Sequence, residues 1–173
     1  MTQLPTGRLE CSPDTPTLVY ERLLPVASAS VWAALTEPGQ TARWIGRWTG
    51  VAEAGRTVEF VWLAEEGAPI ERVMILTCDP PRRLALAAGP DPATPWLMTI
   101  ELEDLPDGTR LEFRQLMSNG LSPAIVGPAW EFYLDRLTAV LAEEPPPVWN
   151  DRYHQMQSHY EELQAAMALC EEA

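Results

Sequence analysis

The chain contains no lysine. All 12 basic residues are arginine, set against 25 acidic residues, for a formal net charge of −13 over 173 residues. Without lysine there is no Schiff-base chemistry and no lysine general base. With so little positive charge there is no phosphate-neutralising stripe, so no nucleic-acid partner is expected. The acidity itself reads as a solvated surface. Histidine is almost as scarce. His154 and His159 lie five residues apart, on different faces of a helix, and do not make a metal pair. The three cysteines, Cys11, Cys78 and Cys170, are odd in number and widely spaced, with no C-x-x-C. Neither a zinc site nor a redox pair is expected from them. No apolar run is long enough to span a bilayer and no signal peptide is read, so the expectation is a soluble cytoplasmic protein without membrane insertion. G-x-S-x-G, Walker A, G-x-G-x-x-G and H-E-x-x-H motifs are missing. Nearly all the carboxylates fall on polar strand faces or in loops. No catalytic residue, cofactor or metal is assigned.

What the chain does have is order in its hydrophobic pattern. Residues 1–16 form an arm with three prolines and no clear period, with room for one short strand near Arg8 to Cys11. Thr17 to Leu24 is rich in strand formers. Ser28 is placed as an N-cap, and Val31, Trp32 and Leu35 share one helical face. Pro38 stops that helix, Gln40 to Trp44 makes one more turn, and Gly46 suits a left-handed cap. Strand-like runs follow at Thr57–Leu63, Ile70–Cys78, Arg83–Ala88, Trp96–Glu103 and Thr109–Met117. The pair Asp107-Gly108 is a hairpin signal between the last two. Short turns between sequential strands predict an antiparallel meander. Leu121 to Glu144 is a long helix, with Pro123 and Pro128 near its start and a stripe of Val126, Trp130, Tyr133, Leu134, Leu137, Val140 and Leu141. Pro145-Pro146-Pro147 ends it. The expected organisation is an arm over 1–16, a domain over 17–144 and a helical appendage over 145–173.

In the appendage Trp149, Tyr153, Met156, Tyr160, Leu163, Met167 and Cys170 are spaced 4, 3, 4, 3, 4, 3. That pattern fits an amphipathic helix folded back on its own domain. It also fits, as the second choice, a helix that docks on a second subunit, giving a homodimer through residues 149–170.

The segments PVASASVWAALTEPGQTARWIG, VMILTCDPPRRLAL, LEDLPDGTRLEFRQ and GPAWEFYLDRL resemble, in order and spacing, the C-terminal-domain family of the heat shock protein 90 ATPase activators. That family lies within the START-like superfamily, alongside the birch-pollen allergen type and the polyketide cyclases. The resemblance covers about residues 17 to 143. It implies an α+β helix-grip fold: a curved antiparallel sheet of about six or seven strands around a long C-terminal helix, with two short helices after the first strand. An extra C-terminal amphipathic helix would be added to it. It also implies a cavity between sheet and long helix. Where the family often has Gly-Trp in the long helix this chain has Ala129-Trp130. Where it often has histidine on the last strand this chain has Gln115, so no histidine chemistry carries over.

Strand parity nominates the lining of such a cavity: Phe60 and Trp62, Trp96 and Met98, Phe113 and Gln115. The helices add Trp32, Trp44, Trp130, Tyr133, Leu134 and Leu137. Large aromatics around a few polar groups describe a ligand pocket as well as a filled core. Gln115 and Tyr133 are the polar candidates. The run Ile70–Cys78 is apolar on both parities, so Arg72 and Met74 are assigned to the pocket with the direction of Arg72 left open. An inward Arg72 would call for an anionic head group. Three classes of function stay open: binding of a small hydrophobic molecule, a cofactor-free cyclase- or dehydratase-type enzyme, and a chaperone-activator-like interaction module. The last is the weaker for lack of the N-terminal domain of full-length activators.

Overall fold

Period-two patterning produces eight strands in one antiparallel sheet. The computed structural model describes residues 4–12 and 14–170; the rest of the arm and the end of the appendage lie outside the described residues. In chain order the elements are β1 (Arg8–Glu10), β2 (Thr17–Leu24), α1 (Ser28–Thr36), α2 (Pro38–Thr41), β3 (Arg47–Thr49), β4 (Thr57–Val61), β5 (Ile70–Asp79), β6 (Arg83–Ala88), β7 (Trp96–Leu105) and β8 (Gly108–Leu116). Helices α3 (Pro123–Leu141), α4 (Asp151–Gln155) and α5 (Gln157–Cys170) follow. The sheet order is β1-β2-β8-β7-β6-β5-β4-β3. Long helix α3 lies on the concave face. The sheet therefore has one strand more than the six or seven expected; β3, only three residues long, is too short to show a period.

Local expectations fail in instructive places. Helix α1 begins at Ser28, its N-cap is Ala27, and no side chain caps it. Gly46 is needed for space and not for a left-handed turn: a Cβ there would strike the Val61 carbonyl and the Phe60 ring. The β7–β8 hairpin turns on Pro106 and Asp107, with Gly108 at φ +151° already paired to Leu105. A Cβ on Gly108 would meet the Leu24 carbonyl, which is a second reason for glycine there.

Helix α3 carries Pro128 in its interior, which removes the N–H that would bond the Ala124 carbonyl. Gln157 of α5 supplies the missing donor, its Nε2 reaching Ala124 O at 3.1 Å. The appendage is thus built into the hydrogen bonding of the long helix. Its expected single helix breaks at Met156 into α4 and α5. Tyr153, Met156 and Tyr160 are all buried against their own domain. Of the two docking arrangements the pattern allowed, the structure adopts folding back.

The arm joins the same assembly. Gly7 and Gly127 both lie so close to the Tyr160 ring that a Cβ on either would overlap it. Tyr20 donates from its hydroxyl to Gly127 O at 2.9 Å. A disulfide joins Cys11 to Cys170 across 159 residues of sequence, Cα to Cα 5.6 Å, and Cys78 stays a free thiol. Spacing along the chain gave no hint of this pairing, because only the folding back of α5 brings the two ends together.

Candidate functional site

The register of the sheet decides which side chains meet α3. Residues directly opposite each other in an antiparallel pair share a face. Val58 pairs with Val73, Leu84 with Ile100, Leu86 with Met98, and Ile100 with Phe113. All of these face inward. Between Ile75 and Thr77 the β5–β6 register slips by a bulge, after which Cys78 stands opposite Leu84. The residues of β5 that face the cavity are therefore Val73, Ile75 and Cys78. This corrects two assignments: Arg72 is exposed on the outer face, and so is Met74, at 43% exposure. With two apolar parities and a bulge, β5 offers no sequence signal for its own direction.

The inward side chains line a partly open cavity of about 140 Å³. Its sheet wall includes Phe60, Trp62, Met98 and Phe113; α1 and α2 with the turn after them contribute Leu35, Thr41, Trp44 and Ile45, and α3 contributes Trp130 and Leu134. Trp48 and Ala52, from β3 and the segment after it, complete one end and were not anticipated from the sequence. Among the other nominated residues, Trp32, Trp96, Tyr133 and Leu137 pack into the surrounding core without lining the space, and Gln115, buried beneath Trp130, does not line it either. Trp96 covers Gly89, where a Cβ would crowd the indole.

The chemistry of this wall is set by what its polar groups already do. Trp44 Nε1 donates to Ala34 O at 2.8 Å and Trp48 Nε1 to Thr36 O at 3.1 Å. Trp62 Nε1 donates to Glu71 Oε2 at 2.9 Å, and Trp130 Nε1 to Gln115 Oε1 at 2.6 Å. The hydroxyls of Thr36 and Thr41 donate to the carbonyls of Trp32 and Pro38. Every indole N–H around the cavity is spent on the protein, and no lining residue carries a charge. A charged guest would lose its hydration with nothing to replace it.

Two carboxylates stand near but not in this wall. Glu71 lies opposite Phe60, so it faces inward, and its other oxygen accepts from Gly89 N at 2.6 Å. Its place went unseen because sequence parity put Glu on the outer face of every strand. Tyr133 donates from its hydroxyl to Glu65 Oε1 at 2.7 Å, tying the β4–β5 loop to α3. Burial, with the adjacent Glu65 carboxylate, pushes the Tyr133 phenol well above its ordinary range. It is a hydrogen-bond donor at any physiological pH.

On the β1–β2 side of α3 the interior is polar. Arg22 lies opposite Leu111 and so faces inward, and its Nη2 meets Glu131 Oε2 at 2.9 Å and Asp135 Oδ1 at 3.4 Å. Glu131, 1% exposed, also accepts from Tyr160 Oη at 2.5 Å, from Gly7 N at 2.9 Å and from the backbone N–H of Thr6. Burial alone would raise the Glu131 carboxyl. The hydrogen bonds from Tyr160, Thr6 and Gly7, with the Arg22 charge, outweigh it and hold the carboxyl below its ordinary range. His159 Nε2 lies 2.8 Å from Gly7 O. No group of histidine, cysteine or carboxylate side chains among the described residues could hold a metal. No helix among them is long and apolar enough to cross a membrane.

Comparisons with known proteins agree with this architecture. A search of the curated proteins finds no match. Among solved structures, that of CalU16 from Micromonospora echinospora superposes with a TM-score of 0.72 at 23% identity, covering 93% of this chain and 98% of that one. A Bordetella parapertussis protein, encoded by gene BPP1335, gives 0.70 at 26% identity over 93% of each chain. EF2215 from Enterococcus faecalis, described as a conserved protein of unknown function, gives 0.70 at 17% identity, over 93% of this chain and 91% of that one. Such coverage extends beyond the core domain into the arm or appendage. The family model described as Activator of Hsp90 ATPase homolog 1-like protein matches residues 25–142, and the chain belongs to that family.

Proposed function

We propose that this protein holds a small, neutral, hydrophobic molecule in the cavity between the sheet and α3. The observation that carries this reading is the wall itself: space of about 140 Å³, no charge, and every indole N–H already committed. An engineered apolar cavity of about 150 Å³ in another protein stays dry and takes up benzene. The size here therefore favours a one-ring molecule over an acyl lipid. Titration with ethylbenzene tests the reading, with tryptophan fluorescence as the signal because Trp44, Trp62 and Trp130 line the space. Saturation at a Kd on the order of 0.1–1 mM is expected for so few atoms. A response that grows linearly without saturating contradicts it.

The reading has three further parts. The charge of −13 speaks against a nucleic-acid partner. In a cytoplasmic location Cys11 and Cys170 would stand as thiols, so alkylation of the protein in fresh cell extract should label three cysteines; one labelled cysteine contradicts that location. A homodimer through residues 149–170 would have to use what that segment leaves exposed, chiefly Trp149 before α4 and Leu169 on α5. Light scattering of the full chain is expected to return the monomer mass, and twice that mass would restore the dimer.

A further inference from the structure

Two hydroxyl side chains line the cavity, Thr36 at the end of α1 and Thr41 at the end of α2. Thr36 Oγ1 donates its proton to Trp32 O at 2.7 Å, and Thr41 Oγ1 donates its proton to Pro38 O at 3.2 Å. A carbonyl only accepts, so both protons are committed to the helices. Each hydroxyl oxygen keeps lone pairs, and no donor among the described residues meets either. The four lining indole N–H groups are spent as well. That leaves the Cys78 thiol as the one side-chain donor among the described lining residues, and S–H is a weak donor. The helix geometry has the same sign. Leu35 and Thr36 are the last residues of α1, and a helix ends on its partly negative carbonyl pole. What polar capacity the wall has left is therefore for accepting hydrogen bonds.

Resting on the reading of the cavity as a binding site, we infer that the bound molecule is a small neutral aromatic carrying a hydroxyl donor, a phenol, and that Thr41 Oγ1 accepts from it. The apolar wall and its ring faces hold the hydrocarbon part. Thr41 is 2% exposed, so a hydrogen bond made there is shielded from water. A ring bearing only an acceptor, such as an ether or a ketone, finds no donor of comparable strength. A carboxylate meets acceptors without a charge to balance it. Thr41 in this role selects and orients a ligand. It moves no proton, because its own is held by Pro38 O.

4-Methylphenol and methoxybenzene are isomers, one with an O–H and one without. The first is the tyrosine side chain and is neutral at pH 7. Calorimetric titration of the wild-type protein should show 4-methylphenol binding about three- to tenfold more tightly. In Thr41→Val, which keeps the shape and removes the acceptor, that preference should reverse, since the hydroxyl is then buried unpaired. Methoxybenzene makes no use of the acceptor and should bind this variant as it binds the wild type, which reports an intact cavity. Thr41→Ser keeps the oxygen and should keep the preference. Equal or weaker binding of 4-methylphenol by the wild type, a result independent of how any variant folds, would overturn the inference and leave the cavity reading standing. A preference that survives in Thr41→Val would overturn the assignment to Thr41. If neither isomer binds the wild type, the cavity reading itself fails, and this inference with it.

Discussion

The two halves of the concave face pack against the same helix in opposite ways. Under β1 and β2, helix α3 presents Glu131 and Asp135, and the space is filled with hydrogen-bonded charge: Arg22, Thr6, Gly7, Tyr160 and Arg152. Under β4 to β7 the same helix presents Trp130 and Leu134, one residue earlier in each case, and the space is left empty and apolar. The difference lies in what covers each half. The arm and α5 belong to this chain and supply backbone donors and a tyrosine to the first half. Neither α5 nor the described part of the arm lines the second. One half is locked by its own termini, and the other is held open by a rigid aromatic frame.

The contrast can be broken most forcefully on the polar side. Glu131→Ala leaves Arg22 buried with a weaker partner set and strands the N–H groups of Thr6 and Gly7, so a loss of about 3–5 kcal/mol is expected in chemical denaturation. The pH dependence should carry the same signature. Because folding lowers the Glu131 pKa, the stability it contributes is complete above the ordinary value of 4.5 and is lost as pH falls below it through the folded value. Asp135 runs the other way, since burial above all raises its pKa: its contribution is fullest below the ordinary value of 3.8 and declines as pH rises through the folded value. Melting curves of the wild type and Glu131→Gln should therefore converge as the pH drops under 4.

Opening the Cys11–Cys170 bond comes next in size. Replacing both cysteines by serine should cost about 2–4 kcal/mol. It should leave ethylbenzene binding unchanged, because the bond ties the locked half alone. A parallel loss of binding would mean that the two halves are coupled.

On the apolar side, Leu134→Phe pushes a larger side chain into the open space. Stability should change by about 1–3 kcal/mol, while ethylbenzene binding falls at least tenfold in the fluorescence titration. The smallest effect is expected outside both halves. Arg72→Ala, on the exposed face of β5, should alter stability by less than about 0.5 kcal/mol and binding not at all. A marked loss of binding in that variant would revive an inward arginine.

Much of this contrast was legible in the chain before folding was considered, and the reasons it was legible explain the gaps. Alternation on β4, β7 and β8 marked Phe60, Trp62, Met98 and Phe113 because their opposite parities are charged. The stripe on α3 marked Trp130 and Leu134 by helical spacing. On β5 the signal failed, since both parities are apolar and the reversal at the bulge belongs to the pairing with β6. Gln115 could be singled out as a polar residue on an apolar parity. Arg22 on β2 and Glu131 on α3 showed nothing comparable, for their burial exists only once arm, strand and appendage meet. Trp48 and Ala52 were invisible for a similar reason: a three-residue strand has no period to read.

The central claim is that the half of the interior under β4 to β7 is an open apolar space and the half under β1 and β2 is not. A crystal of the protein pressurised with xenon tests it most directly, since xenon enters dry apolar cavities and needs no specific contact. The account predicts xenon density bounded by Phe60, Met98, Trp130 and Leu134, and none beside Arg22 and Glu131. A structure with no xenon in that space, its side chains collapsed together, would contradict it.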